Sequence, residues 1–412
     1  MRVLFVMNTF PPGYTGGAEV SNLHTCQALL QRGIDCSIIV LYNRLPEARD
    51  EWYEYAGIPV HRVHFFTSLR SPISDMWDLR VHRYLVAELR RLQPDLVHVH
   101  NVSGATLAVH TACRAVGIPV VNTLHDLWLL CPNNMLYQAD GSFCDPKIFP
   151  RDCHHCFRRY DFWANVPRRR SIFAALTSNV ELFLSPSQAL IERHVEAGYA
   201  RERFRLLRLG FHEKPAAPPQ HPEIRRWLEE TRTYPLLSFA GGGVEIKGAK
   251  VVLSALPMLL SHYPNLHLAV AGGGEQRFLD GFRHFGSAVH VLGVLPPEEM
   301  RWLFAASDLV LLPSVSHENS PVVIFESSQM GTPVVGSALG GIPELIVPEE
   351  TGYLFAPGDS AALVQCVLRH IQKSSHARRR MRLNSVRKMR TELSLNHHIE
   401  QLTSIYSEVL NS

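Results

Sequence analysis

Residues 307–344 read SDLVLLPSVSHENSPVVIFESSQMGTPVVGSALGGIPE, and the rest of the chain is best read outward from them. The opening Asp308 to Pro313, DLVLLP, is short and apolar nearly throughout, the pattern of a buried strand. Ser320 fits a helix N-cap and Pro321 the first helical position, so a helix is predicted to begin here. The free N–H groups of Val322 and Val323 then point out of that helix end, where the macrodipole favours a phosphate. Two carboxylates eight residues apart, Glu318 and Glu326, frame this start, with Asn319 beside the first. Glu318, just before the cap, can reach whatever the phosphate carries. Glu326, about two turns in by helical rise, is placed to hold a ribose diol. Phosphate, sugar on one side and ribose on the other outline a nucleotide-sugar site.

The same residues resemble the Glu-x7-Glu signature of the retaining family-4 glycosyltransferases, which have the GT-B fold. The likeness extends to Gly331-Thr332-Pro333-Val334-Val335, to Gly340-Gly341-Ile342-Pro343-Glu344 and to Thr351-Gly352-Tyr353-Leu354-Phe355, in order and at the family's spacing. The resemblance implies an α/β chain of two facing Rossmann-like doubly wound domains with an interdomain cleft. It also implies sugar transfer from a nucleotide diphosphate donor to an acceptor hydroxyl, with retention and without a catalytic metal. Glu318 would hold the donor sugar, Glu326 the ribose, and Asn319, Ser320, Pro321, Val322 and Val323 the region of the diphosphate.

Composition agrees with an enzyme of this size. The 412 residues are 46% hydrophobic and 19% charged, which excludes wholesale disorder and allows two or three domains. No apolar run approaches the roughly 18 residues of a membrane-spanning helix. The N-terminal Val3-Leu4-Phe5-Val6-Met7 is too short for an export signal and reads as a first strand. A cytoplasmic protein is expected, with the inner face of a membrane as a further candidate location. Net charge is +3 but uneven, and no nucleic-acid partner is expected. Arg369 to Arg390 holds nine Lys or Arg and no acid, read as a solvated helix face with Ile371, Met381, Leu383 and Val386 buried. Arg151, Arg158, Arg159 and Arg168 to Arg170, interleaved with Phe157, Tyr160, Phe162 and Trp163, are the better candidates for an anionic lipid surface. They tilt the acceptor towards a lipid-linked alcohol.

Residues 1–210 alternate strand and helix patterns, with strands at Val3–Asn8, Ser37–Tyr42, Leu96–His100, Val120–His125 and Leu182–Ser187 and a helix over Ala18–Arg32. Residues 211–235 carry five prolines and read as a linker. Residues 236–395 repeat the alternation as the donor domain, and 396–412 form a last amphipathic helix. In GT-B proteins such a helix typically crosses back to the first domain.

Parallel sheets place ligands beyond the carboxyl ends of their strands. After the first strand a Gly/Pro loop ends in Gly16-Gly17, where backbone can approach a donor phosphate, or a plain tight turn stands. His100 and His125 end two further strands, with Asp126 after the second. By resemblance His125 contacts the transferring sugar, while His100 and Asp126 are acceptor-side candidates; Asp126 is also placed to fix the His125 tautomer. His98 sits deeper and reads as a satisfied core histidine. In Phe239 to Gly248, Lys247 is the natural diphosphate ligand. Many relatives carry an arginine five residues before this lysine; here that position is Gly242. A second glycine loop, Gly272-Gly273-Gly274, reads as a nucleoside neighbour or a simple turn. Within the loop 129–157, Cys131, Cys144, Cys153 and Cys156 offer thiolates for a structural zinc, against unpaired or redox-active thiols. Two rival functions remain: a GT-B-fold nucleotide-sugar epimerase, and a catalytically weak nucleotide-sugar-binding partner subunit, the latter suggested by Gly242.

Overall fold

The computed structural model describes the chain except residues 13–15, 43–49, 66–75, 102–105, 132–133, 139–141, 145–165, 214–215, 219, 221 and 232. It divides into two compact units, Met1–Gly210 with Leu395–Ser412, and Phe211–Ser394.

The first unit is built on an eight-stranded sheet of order β3-β4-β2-β1-β5-β6-β7-β8. Its strands are β1 (Arg2–Met7), β2 (Asp35–Tyr42), β3 (Glu51–Tyr55), β4 (Ile58–His64), β5 (Leu96–Val99), β6 (Val120–Thr123), β7 (Val180–Ser185) and β8 (Phe204–Leu206). All pairs are parallel except β3 with β4. Parallel strands need crossovers, which cover both faces and leave the strands apolar throughout. In β1 the alternation sends Leu4 and Val6 to one face and Val3, Phe5 and Met7 to the other. The first face packs with Val81, Leu85 and Leu89 of the helix Leu79–Leu92. The second packs with Cys26 and Leu29 of Gly17–Gln31 and with Ile399, Leu402 and Tyr406 of Leu395–Asn411. Each fully buried side chain of this size stabilises the fold by about 1.5–3 kcal/mol.

The second unit carries a six-stranded, wholly parallel sheet of order β11-β10-β9-β12-β13-β14. Its strands are β9 (Leu236–Phe239), β10 (His267–Ala271), β11 (Val289–Gly293), β12 (Leu309–Leu312), β13 (Val334–Ser337) and β14 (Gly352–Phe355). Leu237, Phe239, Leu309 and Leu311 pack on the helices Ala249–His262 and Ser360–Ile371. The proline-rich stretch read as a linker carries the helix Pro222–Glu230, whose Trp227 and Leu228 close a smaller cluster with Leu236, Ala269 and Leu303.

The basic run lies on the helices Ser360–Ile371 and Ser375–Glu392. Met381, Ser385 and Met389 are buried at a spacing of four, which leaves Leu383 half a turn away and 58% exposed instead of buried. Many of its cations have partners: Arg369 and Lys373 meet Glu349, Arg378 meets Asp308, Lys388 meets Glu392 and Arg390 meets Glu213. No helix among the described residues is long and apolar enough to cross a membrane.

The first unit also buries neutral histidines. His110 Nε2 lies 2.9 Å from Asn122 Oδ1, His194 Nδ1 donates to the Leu190 carbonyl at 2.8 Å, and His398 Nδ1 donates to the Arg208 carbonyl at 2.7 Å. Burial pushes all three down to a pKa of about 4. Between that value and the ordinary 6.5 the unfolded chain binds more protons than the folded one. Their contribution is therefore fully present above pH 6.5 and lost as pH falls towards 4. The melting temperature should fall steeply across that window, and His110→Gln should flatten the slope by about one proton. An unchanged slope in that variant would contradict the assignment.

Candidate functional site

In the second unit the strand order reverses between β9 and β12, the point where an open parallel sheet exposes a crevice. The loops after these two strands are stitched together, Val315 N–H donating to the Ile246 carbonyl at 2.9 Å. The stitch brings Lys247 beside Glu318, with Lys247 Nζ 2.7 Å from Oε1. Ser314, fully buried at the end of β12, donates its hydroxyl to the same Oε1 at 2.8 Å. The Glu318 carbonyl in turn accepts from Gly341 N–H at 2.7 Å. Gly340 makes that approach, with φ at +59° and no room for a Cβ, which would stand 2.3 Å from the Glu318 carbonyl oxygen. Glu318 is thus held by its backbone and its side chain, with a side-chain exposure of 14%.

The helix beyond runs Val322–Gln329, with Pro321 as its N-cap and no side-chain cap bond. Ser320 is therefore not the cap, as the sequence suggests. The backbone of Pro321, φ −68° and ψ 120°, makes the turn one residue later and moves the serine out of capping reach. The Ser320 hydroxyl oxygen is buried and has no hydrogen-bond partner among the described residues. With the leading N–H groups of Val322 and Val323 it forms a donor-rich helix end. Glu326 follows Val322 by four residues, so it lies on the same face one turn in, not two. Its Oε1 is 3.9 Å from the guanidinium of Arg301, a buried residue of the helix Pro297–Ala306. The sequence gives no signal for Arg301 or Ser314 as neighbours of the two glutamates, because neither fits a motif.

The glycine at the arginine position has a packing reason. Gly242 has φ +53°, and a Cβ there would stand 2.1 Å from the Gly273 carbonyl oxygen. Gly243 N–H donates to that carbonyl at 3.0 Å, and Glu275 N–H returns a bond to the Gly243 carbonyl at 2.8 Å. The loops 241–243 and 272–274 mesh backbone to backbone, which leaves no space for a side chain at Gly242.

In the first unit the order reverses between β1 and β5, where Asn8 N–H donates to the Asn101 carbonyl at 2.8 Å. Gly16 precedes and Gly17 begins the helix Gly17–Gln31. Its buried Glu19 accepts from Gly16 N–H at 2.9 Å and from Thr9 Oγ1 at 2.6 Å, tying the glycine loop to the strand end. A glutamate three residues past the N-cap is the signal that could have found it.

His100 Nδ1 and His125 Nε2 are 3.0 Å apart. Burial lowers His125 to a pKa of about 4 and pushes His100 well below the ordinary value. Both imidazoles are neutral near pH 7, so His125 is a hydrogen-bonding group there and not an acid. Asp126 accepts from Trp128 N–H at 2.8 Å, Asn134 Nδ2 at 3.2 Å and Asn101 Nδ2 at 3.4 Å, bonds that anchor its loop. His100 stands against His125 Nε2. A cavity of about 20 Å³, the size of one water, lies among His100, Asn122, His125, Asp126 and Trp128. His98 is a satisfied core residue, bonded to Tyr406 and Thr123.

Of the proposed zinc ligands, Cys131 is buried in the apolar core with Cys144 packed against it, while Cys153 and Cys156 lie outside the described residues. Among the described residues no group of three metal-binding side chains converges. Of the basic-aromatic patch, Arg151, Phe157 to Arg159, Tyr160, Phe162 and Trp163 lie outside them too, as do the side chains of Arg168 and Arg169. Arg170 is buried and donates to the Leu130 carbonyl at 3.3 Å, so it is not available to a lipid surface.

Residues 15–214 match the Glycosyltransferase Family 4 domain, and residues 234–373 match Glycosyl transferases group 1. The chain belongs to the family-4 glycosyltransferases. Among curated members, sulfoquinovosyl transferase SQD2 of Arabidopsis thaliana is 23% identical over 367 residues, 87% of this chain, and the chain spans 64% of that enzyme's length. Glycogen synthase of Mycobacterium tuberculosis is 25% identical over 411 residues, 93% of this chain and 89% of its own. The solved structure of Anabaena HepE in complex with UDP superposes with a TM-score of 0.71 at 18% identity, covering 99% of this chain and 100% of that one. The likeness establishes the GT-B class of fold, two parallel-sheet α/β domains, for this family-4 glycosyltransferase.

The meshed loops make a direct prediction. Gly242→Arg, which writes in the family's frequent residue, should lower the melting temperature of this glycosyltransferase and weaken nucleotide binding. A variant with unchanged melting and tighter binding would show that the loops can part.

Proposed function

We propose that the protein transfers a sugar from a nucleoside diphosphate sugar to an acceptor hydroxyl. The observation that carries this reading is the Lys247–Glu318 pair beside the donor-rich helix end at Ser320–Val323, at the point where the sheet order reverses. A cation and several N–H or O–H donors suit a diphosphate. A well-held carboxylate suits sugar hydroxyls, and the Glu326 carboxylate one turn along the helix suits the two hydroxyls of a ribose. Uridine is the favoured base, supported by the UDP and UDP-glucose in complexes of the HepE neighbour.

Chemically, the glycosidic C–O bond to the diphosphate breaks while the acceptor oxygen bonds to the same carbon. The acceptor proton passes to the departing phosphate oxygen. Retention, by attack on the face the diphosphate leaves, follows from the family resemblance, as does transfer without a metal. Lys247 and the amides of Val322 and Val323 would stabilise the charge growing on the diphosphate. His125 would hydrogen-bond a sugar hydroxyl as a neutral imidazole, with His100 fixing its ring.

Two measurements test the reading. UDP-glucose at about 100 times its Kd should stabilise the fold by about 2.7 kcal/mol, seen as a rise in melting temperature. Glu326→Ala should weaken UDP at least tenfold yet leave inorganic pyrophosphate unchanged, because pyrophosphate carries no ribose. Equal losses for both ligands would remove Glu326 from the ribose.

A further inference from the structure

Both bonds to the Glu318 carboxylate end on one oxygen. Lys247 and Ser314 each donate to Oε1, while Oε2 makes no hydrogen bond among the described residues. The two donors differ in freedom. Lys247 is a long side chain, 42% exposed, whose ammonium can turn to another anion. Ser314 is fully buried on a short side chain and can serve little else.

We infer that Ser314 is the positioning residue for Glu318, holding its carboxylate while Lys247 passes from Glu318 to the donor diphosphate. The inference rests on the donor-site reading above. Without a ligand, the ammonium and carboxylate neutralise each other. A diphosphate offers more charge than the carboxylate and draws the ammonium away. Glu318 is then a carboxylate beside an anion, and repulsion would swing it out of the site. The Ser314 hydroxyl on Oε1 and the Gly341 N–H on the Glu318 carbonyl resist that swing. Oε2 stays open to sugar hydroxyls. Binding is therefore an exchange, in which the nucleotide competes with an internal carboxylate for the same lysine and frees that carboxylate for the sugar.

A double-mutant cycle on the full chain tests the exchange, with UDP, GDP and ADP titrated by calorimetry. Glu318→Gln should tighten the best-binding diphosphate by about fivefold, the scale of a partly exposed ion pair. In a Lys247→Met background the same change should give less than twofold. Equal tightening in both backgrounds would reduce the effect to removal of a nearby charge and overturn the exchange. The role of Ser314 is read from the ratio of sugar-nucleotide to nucleotide affinity, using the glucose ester of that diphosphate. Ser314→Ala should leave the diphosphate within twofold and lower the ratio by about fivefold, and Ser314→Thr should restore it. A Ser314→Ala protein that melts like wild type and keeps its ratio would overturn the positioning role. If wild type binds none of the three diphosphates, the donor-site reading itself fails.

Discussion

A strand that pairs in parallel with its neighbour must be reached by a crossover, and in this chain the crossovers are mostly helices lying on the sheet faces. That constraint orders both units. It buries β1, β9 and β12 on two sides, which is why they consist mainly of Val, Leu, Phe and Met. It also gathers the loops that leave the strands along one edge of each sheet. Residues as distant in sequence as Lys247 and Glu318 meet because β9 and β12 are neighbours with no strand between them. The polar groups of the site are placed by an apolar arrangement that none of them takes part in.

Much of this was legible in the sequence because burial on both faces writes itself as composition. β1, β2, β5, β6 and β7, and every strand of the second sheet up to β13, coincide with apolar runs to within a residue or two. The failures have physical causes. β3 and β4, Glu51–Tyr55 and Ile58–His64, form a hairpin at the sheet margin, so Glu, Arg and His alternate with apolar residues and no continuous run appears. The helix starts at Val322, one residue beyond the predicted Pro321, because Ser-Pro satisfies two cap preferences at once and only the backbone angles decide between them. In the basic helix the spacing of Met381 and Met389 carried the buried stripe, and Leu383 was assigned by hydrophobicity against that period. Within the site, Glu318, Glu326 and Lys247 were visible because motifs mark them. Ser314 and Arg301 were not, since their importance comes from what stands opposite them in space.

The meshed glycine loops show how a position can be constrained by what it must not carry. At Gly242 the decisive neighbour is backbone, the Gly273 carbonyl, and backbone cannot turn aside as a side chain can. The absence of a cation there follows from the close approach of two strand-end loops, and packing alone accounts for it. The partner-subunit reading drew its support from that position and loses it. The positive charge available to a ligand at this edge comes instead from Lys247 and from oriented N–H groups.

The helix Leu395–Asn411 belongs to the first unit, although 184 residues of the second lie between it and Gly210. Ile399, Leu402 and Tyr406 cover one face of the first sheet, over Phe5, Ile38 and Val40. During synthesis the helix Gly17–Gln31 can cover only part of that face, and the rest waits for the later helix. The second unit, continuous in sequence, can complete its core first. The first unit, begun first in translation, is therefore the last to complete its core. A nascent chain stalled before residue 395 would present a large apolar surface to chaperones, a state that the finished protein never shows.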